Sequence, residues 1–118
     1  MNNQAVVKFL AEQVMGWVYD EKLDGWLGVD EFAPVYFDPV NDIKDAWMVV
    51  EWMVANGYCV DTLSPYRVLN KVYEWTVQIE FILTEKTSEA EASTIQEAIC
   101  IAAVKALADD EQLKEMGL

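Results

Sequence analysis

The 118-residue chain contains no histidine, which removes the commonest general base and the commonest metal ligand at neutral pH. Cations are scarce as well: eight Lys and Arg stand against 21 Asp and Glu, giving a formal net charge of −13. Affinity for a nucleic-acid duplex comes mainly from Lys and Arg neutralising phosphates, so unaided duplex binding is not expected. Cysteine is limited to Cys59 and Cys100, too far apart for a zinc spacing and too few for a disulfide framework. Both read as small buried thiols of a reducing compartment. There is no Gly-rich phosphate loop and no nucleophile elbow. Without His, a nucleophile–base pair would have to use Lys or a carboxylate, and a close carboxylate pair carries no signal among so many acids. The chain is therefore expected to be no enzyme and to hold neither metal nor another cofactor. Its first 15 residues carry Lys8 and Glu12 without the pattern of a signal peptide. Uncharged runs such as Ala98–Val104 fall far short of the ~20 residues of a membrane span. A soluble, cytoplasmic protein is expected.

What is abundant is apolar surface. Hydrophobic residues make up 53% of the chain, with five Trp, five Tyr and four Phe, whereas disordered acidic chains are poor in both classes. The length suits one domain, 1–118. Residues 3–15 read as a helix with Val6, Val7, Leu10 and Val14 on one side, ended by Gly16. Trp17–Val18–Tyr19 and Trp26–Leu27 flank Asp24–Gly25 as a predicted hairpin, and 35–37 offers a third short strand. A second helix starts at Asp38–Pro39 or at Asn41–Asp42 and stops at Gly57. Its predicted core stripe is Ile43, Ala46, Trp47, Val50, Met53 and Val54, with Met48 and Trp52 on the opposite side. Residues 58–63 form a strand ending at Ser64–Pro65. Residues 72–83 form a long one with Tyr73, Trp75, Val77, Ile79, Phe81 and Leu83 inward, and Glu74, Thr76, Gln78 and Glu80 outward. After a polar loop, Thr94 and Glu97 announce a nearly all-apolar helix over 95–108, and Asp109–Glu111 opens a short last one. The predicted class is α+β: a small antiparallel sheet packed with three main helices in α-β-β-α-β-β-α order, with an α/β/α sandwich as the layered form.

Val14–Met15–Gly16–Trp17, Phe37–Asp38–Pro39 leading into Asp42–Ile43 and Ala46–Trp47, and Ala98–Ile99–Cys100 through Ala106–Leu107 together resemble the small phage and prophage proteins of the phage ABA sandwich domain family. The resemblance implies a sheet sandwiched by helices and a mobile-element origin. It brings no catalytic residues. The polar outer side of 72–83 departs from it, arguing that this strand is not covered equally on both faces.

Asp20 to Glu31 fits the spacing of a calcium loop, with Asp24 and Gly25 at positions five and six, but Lys22 stands where a ligand belongs and Pro34 breaks the exiting helix. A hairpin is the reading. The acids spread along the surface segments, among them Asp20, Glu21, Asp24, Asp30, Glu31, Asp42, Asp45, Glu85, Glu89, Glu91 and 109–111. They keep the chain soluble or steer it onto a basic groove in place of phosphate. Off-stripe Met48 and Trp52 need a further surface, either the neighbouring β segment or last helix of this chain or a second molecule. Trp and Met are enriched in interface cores, and with the nearly all-apolar last long helix a homo-oligomer is expected. The first functional expectation is an acidic antagonist of a host nucleic-acid-binding defence protein, acting in the host cytoplasm through Asp20, Glu21, Asp24, Asp30, Glu31, Met48 and Trp52. The alternative is sequestration of a small nucleotide signal. There Arg67, the only arginine, and Lys71, both placed in a loop, would meet phosphate, and Tyr66, Trp17, Trp26 and Tyr36 would stack on the base.

Overall fold

A computed structural model describes residues 1–28 and 33–118. Helix α1, Asn3–Phe9, is capped by the Asn2 side chain, which accepts the Ala5 N–H at 3.2 Å. It continues as a π-helical segment, Leu10–Val14, and the widened turn still buries Val6, Leu10, Ala11 and Val14. Strands β1 (Val18–Asp20) and β2 (Gly25–Leu27) pair antiparallel with Tyr19 opposite Trp26. The expected Asp24–Gly25 turn is instead a four-residue loop. The Asp20 carboxylate accepts the N–H groups of Lys22 and Leu23 at 2.9 and 3.1 Å, and Asp24, not glycine, takes the positive φ of 50°. Gly25 serves close approach: a Cβ there would stand 2.5 Å from that of Pro34. The expected strand over 35–37 reduces to one bridge, Trp26 to Val35.

Helix α2, Ile43–Ala55, begins after Asp42, whose side chain accepts the Lys44 N–H at 2.9 Å. Of the two predicted starts the later one is used, because the Asp38 carbonyl closes a turn by accepting the Asp42 N–H at 2.8 Å. Asp45, read as a surface acid, is buried and holds the Asp38 N–H at 2.9 Å. The core face of α2 is also turned from the predicted stripe. Ala46, Val49, Val50 and Met53 are buried, while Ile43, Trp47 and Val54 are 44%, 47% and 58% exposed. The helix packs on β3 and α3 (below) through its less bulky side, which suits the Ala-rich neighbour that receives it. Trp52, expected to face away, is half-buried against the core, and Met48 is half-buried. Gly57 ends the segment at a φ of 91°.

Strands β3 (Tyr58–Leu63) and β6 (Trp75–Phe81) pair antiparallel from Tyr58 opposite Phe81 to Leu63 opposite Thr76. Strands β4 (Tyr66–Val68) and β5 (Lys71–Tyr73) pair with Tyr66 opposite Tyr73. The register is the same in both ladders, so they form one long hairpin turning at Leu69–Asn70, with a gap where Pro65 would face Glu74. Proline has no N–H to donate there. The single strand expected over 72–83 is therefore divided, and its last residue, Leu83, is 83% exposed. Strand β7, Lys86–Ala92, pairs along β6 in a stretch expected to be loop. Its inward residues are Ala90 and Ala92, too small to register as a hydrophobic alternation. Helix α3, Ile95–Leu107, follows the predicted Thr94 cap, which accepts the Glu97 N–H at 3.3 Å. Helix α4, Asp110–Glu115, carries a reciprocal cap between Asp109 and Gln112.

The α+β class and the antiparallel sheet are as expected. Order β3-β6-β7 forms the main sheet. Val77, Ile79, Ala90 and Ala92 on one face lie under α3, which also packs on α2. Cys59, read as buried, is exposed on the other face, while Cys100 of α3 is buried as expected. The molecule measures 53 × 31 × 26 Å.

Candidate functional site

The pleat sorts nine side chains onto the uncovered face of the main sheet. Register places Cys59, Asp61 and Leu63 of β3 beside Glu80, Gln78 and Thr76 of β6. These are followed by Thr87, Glu89 and Glu91 of β7. Four of the nine are carboxylates and none is a cation. Glu89 and Glu91 stand two residues apart on an edge strand, about 7 Å between Cα atoms. A shallow cavity of ≈ 340 Å³ lies among Asp61, Thr62, Leu63, Thr76, Gln78 and Glu89. The sequence marks β6 as wet on this side. The contribution of β7 was hidden, because its Glu residues alternate with Ala and Ser rather than with large apolar residues.

The acids named at the first hairpin form a second, separate group. Asp20 is committed to capping loop amides, and Tyr19 Oη donates to the Asp24 carboxylate. That bond, with Asp24, Glu21 and Asp20 as neighbouring negative charges, raises the Tyr19 phenol above its ordinary value. Glu21 is exposed. Asp30 and Glu31 lie outside the described residues. Among those described, no three Cys, Asp or Glu side chains gather around one point as a cation site would require.

The residues offered for a nucleotide do not come together. Trp17 meets Phe37 edge-on at 5.1 Å and Trp26 meets Tyr19 at 5.3 Å, both Trp packed against the core. Tyr36 is 83% exposed. Trp26 and Tyr19 border a cleft of ≈ 440 Å³ whose one charged lining residue among those described is Asp38, the wrong sign for phosphate. Arg67 and Lys71 are on strands rather than in a loop, in the β4–β5 hairpin. Arg67 Nε donates to the Leu69 carbonyl at 3.0 Å, Lys71 Nζ sits 4.7 Å from the Tyr73 ring centre, and Tyr66 stacks on Tyr73 at 4.5 Å.

On the helix side, the exposed large apolar side chains of α2 are Ile43, Trp47 and Val54 rather than Met48 and Trp52. A helical rotation of roughly a fifth of a turn separates the predicted core face from the observed one.

The phage ABA sandwich domain model matches residues 8–104. The chain belongs to that family. A solved member of the phage world shares its fold: the 2.0 Å crystal structure of a phage protein from Bacillus cereus ATCC 14579, 19% identical, superposes with a TM-score of 0.65 over 92% of this chain and 90% of that one. Comparison with curated proteins finds no match. The family membership agrees with the resemblance carried by the 14–17, 37–47 and 98–107 segments, and it makes this a phage protein. Among the described residues, no helix is long and apolar enough to cross a membrane.

Proposed function

We propose that this phage protein is a non-enzymatic binding protein that occupies the basic, nucleic-acid-binding surface of a host defence protein. The observation that carries the reading is the cation-free open sheet face, with Asp61, Glu80, Glu89 and Glu91 held in register on one side of a three-stranded sheet. A sheet presents carboxylates at fixed spacings without the entropy cost of ordering a loop, so complementary positive charge gains on-rate and orientation. The Asp61–Glu89 cavity supplies a place for a Lys or Arg side chain of the partner. Exposed Glu21 and Asp24 extend the negative field beyond the sheet. The cytoplasm of the host is the compartment in which such a target is met. Four carboxylates on one face favour this reading over nucleotide sequestration, for which the aromatic cleft is acidic and the cations are elsewhere.

The test uses a host strain carrying one defence system and a phage sensitive to it. Expression of the protein is expected to restore plating, and a basic host protein is expected to co-purify with it. Reversing Asp61, Glu80, Glu89 and Glu91 to Lys should abolish both while leaving the circular dichroism spectrum unchanged. Persistence of rescue in that variant overturns the charge mechanism. A mass gain of a few hundred daltons per chain in the native mass spectrum, with no protein partner, would transfer the function to a nucleotide-sized ligand instead.

A further inference from the structure

Beyond the main sheet the long hairpin continues as an arm. All residues from Asp61 to Val72 are exposed, and Tyr73 and Trp75 are half-buried. Alternation along β5 and β6 puts Lys71 and Tyr73 on the same side as Trp75, Val77 and Ile79, the side that faces the helices in the body. Their cross-strand partners Val68 and Tyr66 share that side. The stacking of Tyr66 on Tyr73 and the seat of Lys71 over Tyr73 agree with it. The underside of the arm is thus a length of sheet without its helix. It leaves Tyr66 41% and Val68 53% exposed, with Leu69 at the tip 90% exposed.

The same chain carries a helix face without its sheet: Ile43, Trp47 and Val54 of α2. The charges match. Lys71 is the one charged side chain on the underside of the arm, since Arg67 pairs with Val72 on the upper side, and residues 65–73 hold no acid. Within the α2 stripe, Glu51 is exposed one turn after Trp47 and one turn before Val54. We propose that the arm of one copy lies with its underside on the α2 stripe of a second copy. Tyr66 and Val68 cover Trp47 and Val54, and Lys71 meets Glu51. The packing repeats the helix-on-sheet layering that each copy already uses internally. Because every copy offers both surfaces, a two-fold axis exchanges two arms at once and closes the assembly as a dimer. This pairing is independent of the open acidic face and leaves it free.

Sedimentation velocity and native mass spectrometry over about 1–100 μM test it, a range that brackets micromolar self-affinity. The wild type is expected at twice the monomer mass. Val68→Asp and Trp47→Asp, both at exposed sites, should each give monomer with an unchanged circular dichroism spectrum. Lys71→Glu and Glu51→Lys each place like charges together twice per dimer and should weaken association at least tenfold. The double variant K71E/E51K restores opposite charges and should recover to within about threefold of wild type, the behaviour expected of a directly coupled pair. A wild type that stays monomeric at the top of the range overturns the proposal. So does a dimer that resists either Asp substitution, or a double variant no better than the singles. A larger assembly with the same variant pattern supports the same pair of surfaces joined head to tail.

Discussion

Two valines on one continuous hairpin allow the division between body and arm to be measured with identical chemistry. Val77 of β6 is 0% exposed, under α3, whereas Val72 of β5 is 68% exposed on the upper side of the arm. Val→Ala removes two methyl-sized groups. At Val77 the lost transfer energy is about 1.6 kcal/mol at ~0.8 per buried carbon. The cavity left in a packed layer adds roughly another kilocalorie, for about 2.5 kcal/mol in all. For 118 residues the unfolding entropy is about 250 cal/mol/K, so Tm should fall by about 10 °C. At Val72 the same change should cost at most about 0.5 kcal/mol, or ~2 °C. Val72 lies on the side of the arm away from the proposed dimer contact, so self-association does not enter the comparison. Thermal melts by circular dichroism and urea titrations with an unchanged slope would measure both. A Val72→Ala loss more than half that of Val77→Ala would refute the placement of Val72 on an uncovered side of the arm.

Thiol labelling should separate the two cysteines: Cys59 reacts in the native protein, and Cys100 only on unfolding. Burial pushes the Cys100 thiol far up, with Asp38 and Glu97 adding to it, so its neutral form is favoured in the fold. The stability this lends is full below about 9, the unfolded value, and declines above it as the unfolded chain ionises; Cys100→Ala should flatten that decline, and an unchanged slope would contradict it. Difference ultraviolet titration against Tyr19→Phe should place the Tyr19 phenol above 10, and Asp24→Asn should bring it down. Gly57→Ala forces a φ of 91° on a residue with a Cβ and should cost about 1 kcal/mol, read as a Tm fall of ~4 °C. Its new methyl meets Phe81 at an ordinary 3.5 Å, so the loss reports backbone strain alone.

Elements with a strong local signature were legible in the sequence. The Thr94 cap, the Asp109 start, the Gly57 stop and the alternation over 75–81 each follow from chemistry within a few residues. What was not legible depends on neighbours far along the chain. The orientation of α2 is decided by which side fits the small residues of α3, so Trp47 and Val54 were placed in the core and Trp52 outside it. Strand β7 has alanines for its inward residues and is held by β6 rather than by its own composition. The open face was half visible: its polar alternation on β6 was plain, whereas the Glu89–Glu91 row needed the register. Arg67 and Lys71 were grouped with Trp17, Trp26 and Tyr36 by residue type alone, and the fold assigns them to separate strand pairs and aromatic contacts.

The unbroken register through Pro65 has an evolutionary corollary. Because the arm's strands keep step with β3 and β6, one hairpin can be lengthened or shortened at Leu69–Asn70 by matched pairs of residues without rotating any side chain of the body to its opposite face. Two residues added to each strand would move the tip outward by about 7 Å; a single unmatched residue would invert everything beyond it. The body and the reach of the arm are therefore separately adjustable. Tags or new recognition segments inserted at the tip should leave the fold as it is.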